Sequence, residues 1–165
     1  MKRPRPAWIL PIVLTLSILP WAMGCDGSKA APRYTPGLGE IMTLIQMRHA
    51  KLWLAGGAKN WPLAAYEVKE IEEGLADAVE FHPTHPGAPV SIAEVMPTMM
   101  NAPLREVKAA IENKDGGAFS QAFDHLTGGC NSCHQSTSFR FNVVTRPSGD
   151  YFANQDFGLP ASPAK

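Results

Sequence analysis

An all-α fold, an antiparallel four-helix bundle, is predicted by three features of this sequence. Four segments place apolar residues three and four apart, the repeat of one helix face. Period-two alternation is confined to Phe139, Phe141 and Val143 near the C-terminal end, so there is little strand signal. Glycine and proline clusters punctuate the helical segments and set their lengths. The chain has 165 residues. Once its first segment is set aside about 140 remain, enough for one domain with one core.

That first segment, residues 1–24, has the layout of a secretory signal: Lys2, Arg3 and Arg5, an apolar run from Ala7 to Met23, then Gly24 before Cys25. A membrane-spanning helix is the competing reading. The run is near the lower length limit for spanning and contains Pro11 and Pro20, which favours the signal. Ala22-Met23-Gly24-Cys25 resembles a bacterial lipobox, with alanine where leucine is usual, so Cys25 is a candidate lipidation site. Discard of this cysteine with the signal is the alternative. Residues 25–37 carry no apolar period and read as a flexible tether.

The domain itself is expected to occupy residues 38–165. Its first helix begins near Leu38, where Leu38, Met42, Ile45, His49 and Leu52 form an apolar stripe, and ends at Gly56-Gly57. A second starts with Asn60 as N-cap and Pro62 in the first turn, buries Ala64, Val68, Ile71, Leu75 and Ala78, and stops at Phe81-His82-Pro83. Three prolines and a glycine make the stretch to Val90 a loop. Ser91 and Glu94 form a capping-box pattern that opens a short helix to about Met100. Asn101 and Pro103 restart a helix to about Lys114, with a kink expected at Pro97 or Pro103. After Asp115-Gly116-Gly117, a fourth helix marked by Phe119, Ala122, Phe123 and Leu126 leads, past a Gly128-Gly129 break, into Cys130-Asn131-Ser132-Cys133-His134. An irregular tail follows.

This five-residue run carries the chemistry. Cysteines three positions apart followed at once by histidine let two thiols add to the vinyl groups of a haem while the histidine reaches the iron, and the pattern is the c-type haem attachment signature. Chance occurrence in a chain of this length is on the order of one in a thousand. A thioredoxin-like redox pair would expect a strand-to-helix context. A zinc site would need a fourth ligand and usually a second close pair. A structural disulfide would leave His134 without a role.

A motif near the C-terminal end of a four-helix bundle resembles the class II cytochromes c, which include cytochrome c prime and cytochrome c-556. The resemblance spans roughly residues 38 to 140 and rests on motif placement and helix order. It implies one covalent haem c held by Cys130 and Cys133, with His134 as axial iron ligand. It departs from the family after the motif, where Gln135-Ser136-Thr137-Ser138 stands in place of an early aromatic or arginine. The family lays its first helix over the second haem face and, where it supplies a ligand there, typically uses methionine.

At about 100° per residue from Leu38, His49 falls about 20° and Met42 about 40° around the helix, within the stripe, while Met47 lies about 180° away. His49 is therefore the leading candidate for second axial ligand, with Met42 the alternative. A histidine in that stripe could instead be an uncoordinated core residue with a buried hydrogen-bond partner. Arg48, at about 280° on the same count, is a candidate propionate partner or a solvated charge. Trp53 and Phe123, with Trp61 and Phe119, are candidates for the apolar wall around the porphyrin, or for plain helix packing. Met96, Met99 and Met100 read mainly as core, His82 as a helix-end residue, His85 as a loop residue and His125 as a surface residue.

The functional expectation is a non-enzymatic, exported, periplasmic single-electron carrier that meets redox proteins or a membrane redox complex. A five-coordinate haem protein that binds small gases or peroxide is the alternative, and the haem module of a larger redox complex is a third. Fifteen basic residues balance fifteen acidic ones, and without Lys2, Arg3 and Arg5 the count is 12 against 15, or minus three, so nucleic acid is not expected as a partner. A redox partner with a basic patch suits that charge. A homodimer is compatible with the resemblance, although no exposed apolar stripe demands one.

Overall fold

The computed structural model describes residues 34–159. The expected signal, Cys25, most of the tether and the last six residues lie outside them. Within the described residues the chain forms four helices and no strand: α1 (Leu38–Gly57), α2 (Trp61–Phe81), α3 (Ile92–Glu112) and α4 (Gly116–Ser136). They make a four-helix bundle.

Two connectors of the same design turn the chain back on itself. Ala58-Lys59-Asn60 joins α1 to α2, and Asn113-Lys114-Asp115 joins α3 to α4. In each, a lysine takes the left-handed conformation, with φ of 56° at Lys59 and 54° at Lys114. The next residue sends its N–H back to the helix it leaves, Asn60 to Ala55 O (2.9 Å) and Asp115 to Ala110 O (3.0 Å), which closes the helix end as a Schellman turn. The same residue then caps the helix that follows. Asn60 Oδ1 accepts from the Leu63 N–H at 3.3 Å, and Asp115 Oδ1 from Gly117 and Ala118 at 2.9 and 3.0 Å. Connections this short make α1/α2 and α3/α4 antiparallel hairpins.

Helix α3 differs from its expected form. It runs unbroken from Ile92 to Glu112 through both Pro97 and Pro103. Each proline removes one backbone hydrogen bond, and the helix persists because it buries Met96, Met100, Pro103, Leu104, Val107 and Ile111. The expected capping box at Ser91 does not form on the serine side. Ser91 Oγ instead donates to Pro83 O at 3.1 Å, and Ala93 N–H donates to the same carbonyl at 3.2 Å, so the hydroxyl closes the 82–91 loop. Helix α4 likewise passes through Gly128-Gly129 and includes the whole Cys130–His134 run.

The hairpins pack through α2 on α3, whereas α1 and α4 touch over only a short length. That short seam is aromatic. Phe119 and Phe123 of α4 are fully buried, and Trp53 of α1 lies 5.0 Å from Phe123 and 6.3 Å from Phe119 between ring centroids. Gly56 lets α1 approach here, because a Cβ at that position would sit 2.1 Å from the Phe119 ring. Toward the other end of the bundle the two helices enclose open space.

Candidate functional site

That space is a cavity of about 300 Å³ bounded by α1, the C-terminal part of α2, the start of α3, the end of α4 and the segment after it. Its walls are mainly apolar, supplied by Leu38, Ile45, Leu75, Ile92, Met96 and Val144. Helix α4 contributes Cys130, Cys133 and His134 to the lining, and α1 contributes Met42 and His49. Residues predicted from separate stretches of sequence thus share one cavity.

On α4 the two cysteines stand three apart, which places both sulfurs on one helix face about a turn from each other. Both are free thiols. Burial pushes the Cys130 thiol up to about 12, with the neighbouring Cys133 adding to the effect, and burial raises Cys133 as well. Redox-active pairs depend on a lowered thiol pKa, so these thiols are poorly suited to disulfide exchange. Among the described residues no group of three or more His, Cys, Asp and Glu side chains is gathered to hold a bare metal ion.

His134 is oriented by the chain that follows it. Its Nδ1 lies 2.7 Å from the backbone oxygen of Asn142. A carbonyl can only accept, so Nδ1 carries the proton and donates, which leaves the lone pair on Nε2. The acceptor is itself positioned. Ser138, with φ of 68°, reverses the chain after α4, Phe139 N–H donates to His134 O at 2.7 Å, and Asn142 N–H donates to Phe139 O at 2.8 Å. Asn131, between the two cysteines, then grips Val144 with both ends of its amide: Nδ2 donates to Val144 O and Oδ1 accepts from Val144 N–H, each at 2.8 Å.

On α1, His49 is 3 % exposed and stacks on Phe123 at 4.4 Å between centroids. Its Nε2 lies 2.9 Å from Thr127 Oγ1. The Thr127 hydroxyl donates to Phe123 O at 2.9 Å, so its oxygen accepts from His49, and the imidazole keeps its proton on Nε2 with the lone pair on Nδ1. Burial drives the His49 pKa down to about 4, which holds the ring neutral. Met42 is half-buried in the same lining, while Met47 is not part of it.

The chain matches no family model, no curated protein and no solved structure. The site is defined by its own geometry.

The remaining candidates separate clearly. Trp53 and Phe123 do not line the cavity; Phe123 backs His49, and Trp53 packs against Phe123 with the Arg146 guanidinium 4.2 Å above its ring centroid. Arg48 turns to α2, pairing with the buried Glu67 at 3.2 Å and with Glu70 at 3.0 Å. Met96 and Met100 line the cavity and Met99 does not. His82 donates from Nε2 to Pro36 O at 2.8 Å, and His125 meets Glu106 on the surface at 2.7 Å. His85, expected as a plain loop residue, lines the cavity, packs edge-on against Phe139, and has a buried Nδ1 without a partner.

Thr127, Asn131 and Asn142 escaped the sequence reading. Thr127 has no signal beyond a polar residue one turn from the motif, and Asn131 occupies a position that the signature leaves free. Asn142 acts through its backbone, to which its side chain is no guide.

Proposed function

We propose that this protein is an exported monohaem c-type cytochrome whose single haem c is bound through Cys130 and Cys133 and ligated by His134, and that it carries single electrons between redox partners. The observation that carries the reading is one apolar cavity lined by two protonated thiols and by a histidine with Nδ1 capped and Nε2 free. Each requirement for covalent haem is met by a different feature. Free thiols add S–H across vinyl double bonds, forming one S–C and one C–H bond each, with no oxidant. A histidine whose other nitrogen donates to a carbonyl is oriented and made more basic toward a metal. Apolar walls exclude water from the macrocycle.

When bound, the haem supplies a one-electron iron couple. The protein holds it, excludes solvent and offers a second ligand from α1. His49 would bind through Nδ1 while Nε2–H stays on Thr127, an arrangement of the kind that orients metal-binding histidines. Met42 is the alternative, with a thioether free of any competing hydrogen bond to break. The satisfied His49–Thr127 pair also supports the second reading, in which the imidazole stays a core residue and the iron keeps an open face for a small gas. The secretory segment and Cys25 support export and a lipid anchor, with a redox protein or membrane redox complex as partner and no chemistry on a substrate.

The protein purified after expression of the whole sequence should show the mass of its mature chain plus one haem, and the added mass should be lost in Cys130→Ser/Cys133→Ser. Its ferrous spectrum should be low-spin and unchanged by carbon monoxide. A prompt carbonyl adduct would replace the carrier with the gas-binding reading, and wild-type protein without added mass would end both.

A further inference from the structure

Resting on the haem reading above, we propose that Asn131 is a positioning residue: through the segment Phe139–Val144 it holds the Asn142 carbonyl on His134 Nδ1 and thereby lowers the reduction potential of the iron. Attachment chemistry needs only the two cysteines and the histidine, so the two residues between the cysteines, Asn131 and Ser132, are free for another use. Here Asn131 makes the paired donor and acceptor contact that a neighbouring strand would make, both bonds 2.8 Å long. An aspartate has no donor and a serine too short a reach for both.

Within residues 139–144 little else fixes the segment, and the next anchor of the tail is Arg146, which pairs with Asp124 and lies over Trp53. Residues 139–144 form no helix or strand, Phe141 and Val143 are 78 % and 64 % exposed, and only Val144, the residue Asn131 grips, is buried. An exposed loop without burial samples many conformations. With Val144 fixed at one end and the Phe139 N–H tied to His134 O at the other, the intervening Asn142 carbonyl is brought against the imidazole. Donation of the Nδ1 proton to that carbonyl raises electron density at Nε2, which stabilises ferric iron more than ferrous. Freeing the segment weakens the donation, and the potential rises.

The test compares full-length haem-loaded wild type, Asn131→Ala and Val144→Pro, the last removing one clasp bond from the tail side and leaving the motif intact. Covalent haem is checked by mass. Midpoint potentials come from spectroelectrochemical titration, and solvent exchange of the hyperfine-shifted His134 Nδ1 proton is followed by NMR. Both variants should shift the ferrous-to-ferric ratio at fixed potential about tenfold toward ferrous, a rise of about 59 mV for a one-electron couple. Their Nδ1 protons should exchange faster than in wild type. An unchanged or lowered midpoint, or unchanged exchange, in a variant that carries haem overturns the proposal. So does failure of both variants to take up haem while wild type does, because the clasp would then serve attachment. Wild type without haem would refute the underlying reading instead.

Discussion

Burial of the His49 imidazole against Phe123, with no acid to pair with its charged form, lowers its pKa from the ordinary 6.5 to about 4. The unfolded chain takes up this proton near 6.5, whereas the folded one resists until about 4. Between those values the unfolded state binds more protons, so stability falls as pH falls through that window, by on the order of 3 kcal/mol in full. Iron binding at His49, as proposed, would keep the sign, since a ligating imidazole is also neutral. Glu67 works the other way, because burial outweighs the pull of Arg48 and raises its pKa, which favours the folded state in acid. Urea unfolding of wild type and His49→Asn at pH 7 and pH 4.5 separates the two. The wild type should lose more stability on acidification than the variant, and equal losses would remove His49 as the acid-sensitive group. At this scale the grouping of Cys130, Cys133 and His134 in one lining was legible in the sequence because they lie within five consecutive residues. Thr127, the partner of His49, was not, because 78 positions separate them and only the packing of α1 on α4 brings them together.

Helix α4 passes close to α3 just before Cys130, and two adjacent glycines there have opposite roles. A Cβ on Gly129 would lie 2.8 Å from the Met99 carbonyl and 3.2 Å from Met100 Sδ, whereas a Cβ on Gly128 meets nothing within 4 Å. Met99 is four residues before Pro103, which has no N–H to offer that carbonyl, so the oxygen freed by the proline faces α4 and requires a glycine. Gly128→Ala should stabilise the protein by about 0.5–1 kcal/mol through helix propensity and a less flexible unfolded chain. Gly129→Ala should destabilise it by about 1–3 kcal/mol by overpacking against backbone. Urea midpoints of the two variants test the contrast, and stabilisation by both would remove the close approach. The four helices themselves were readable from apolar period and from the Asn60 cap, which depend on neighbours in sequence. Continuity through Pro97, Pro103 and Gly128-Gly129 was not readable, since local rules mark those residues as breaks and tertiary burial overrides them. The same holds for Ser91, whose hydroxyl satisfies a loop carbonyl eight residues earlier.

The two ends of the bundle are built differently, and that difference predicts how the molecule would respond to losing the proposed haem. At one end Trp53, Trp61, Phe119 and Phe123 close the seam between α1 and α4, around the fully buried Leu52 and Ala55. At the other end the same two helices diverge around about 300 Å³ of mainly apolar space. Sequence indicated which residues face inward without indicating that those at one end face a cavity, because an apolar stripe is the same whether it meets a side chain or a porphyrin. The apolar side chains that line this partly open space lose burial when nothing fills it, at a cost on the order of a few kcal/mol. A haem bound covalently to α4 and ligated from α1 would fill the space and join the seam. The Cys130→Ser/Cys133→Ser chain should therefore keep most of its helical circular dichroism while melting roughly 10 °C below the haem-loaded protein. Its amide protection should also be lost unevenly. Leu38–His49 and the last turns of α4 should exchange early, because they line the cavity, whereas Leu52–Gly56 and Phe119–Leu126 should stay protected until global unfolding. Uniform loss of protection along both helices, or an unchanged melting temperature, would show that the bundle closes on itself and that the cavity is not held open for a resident group.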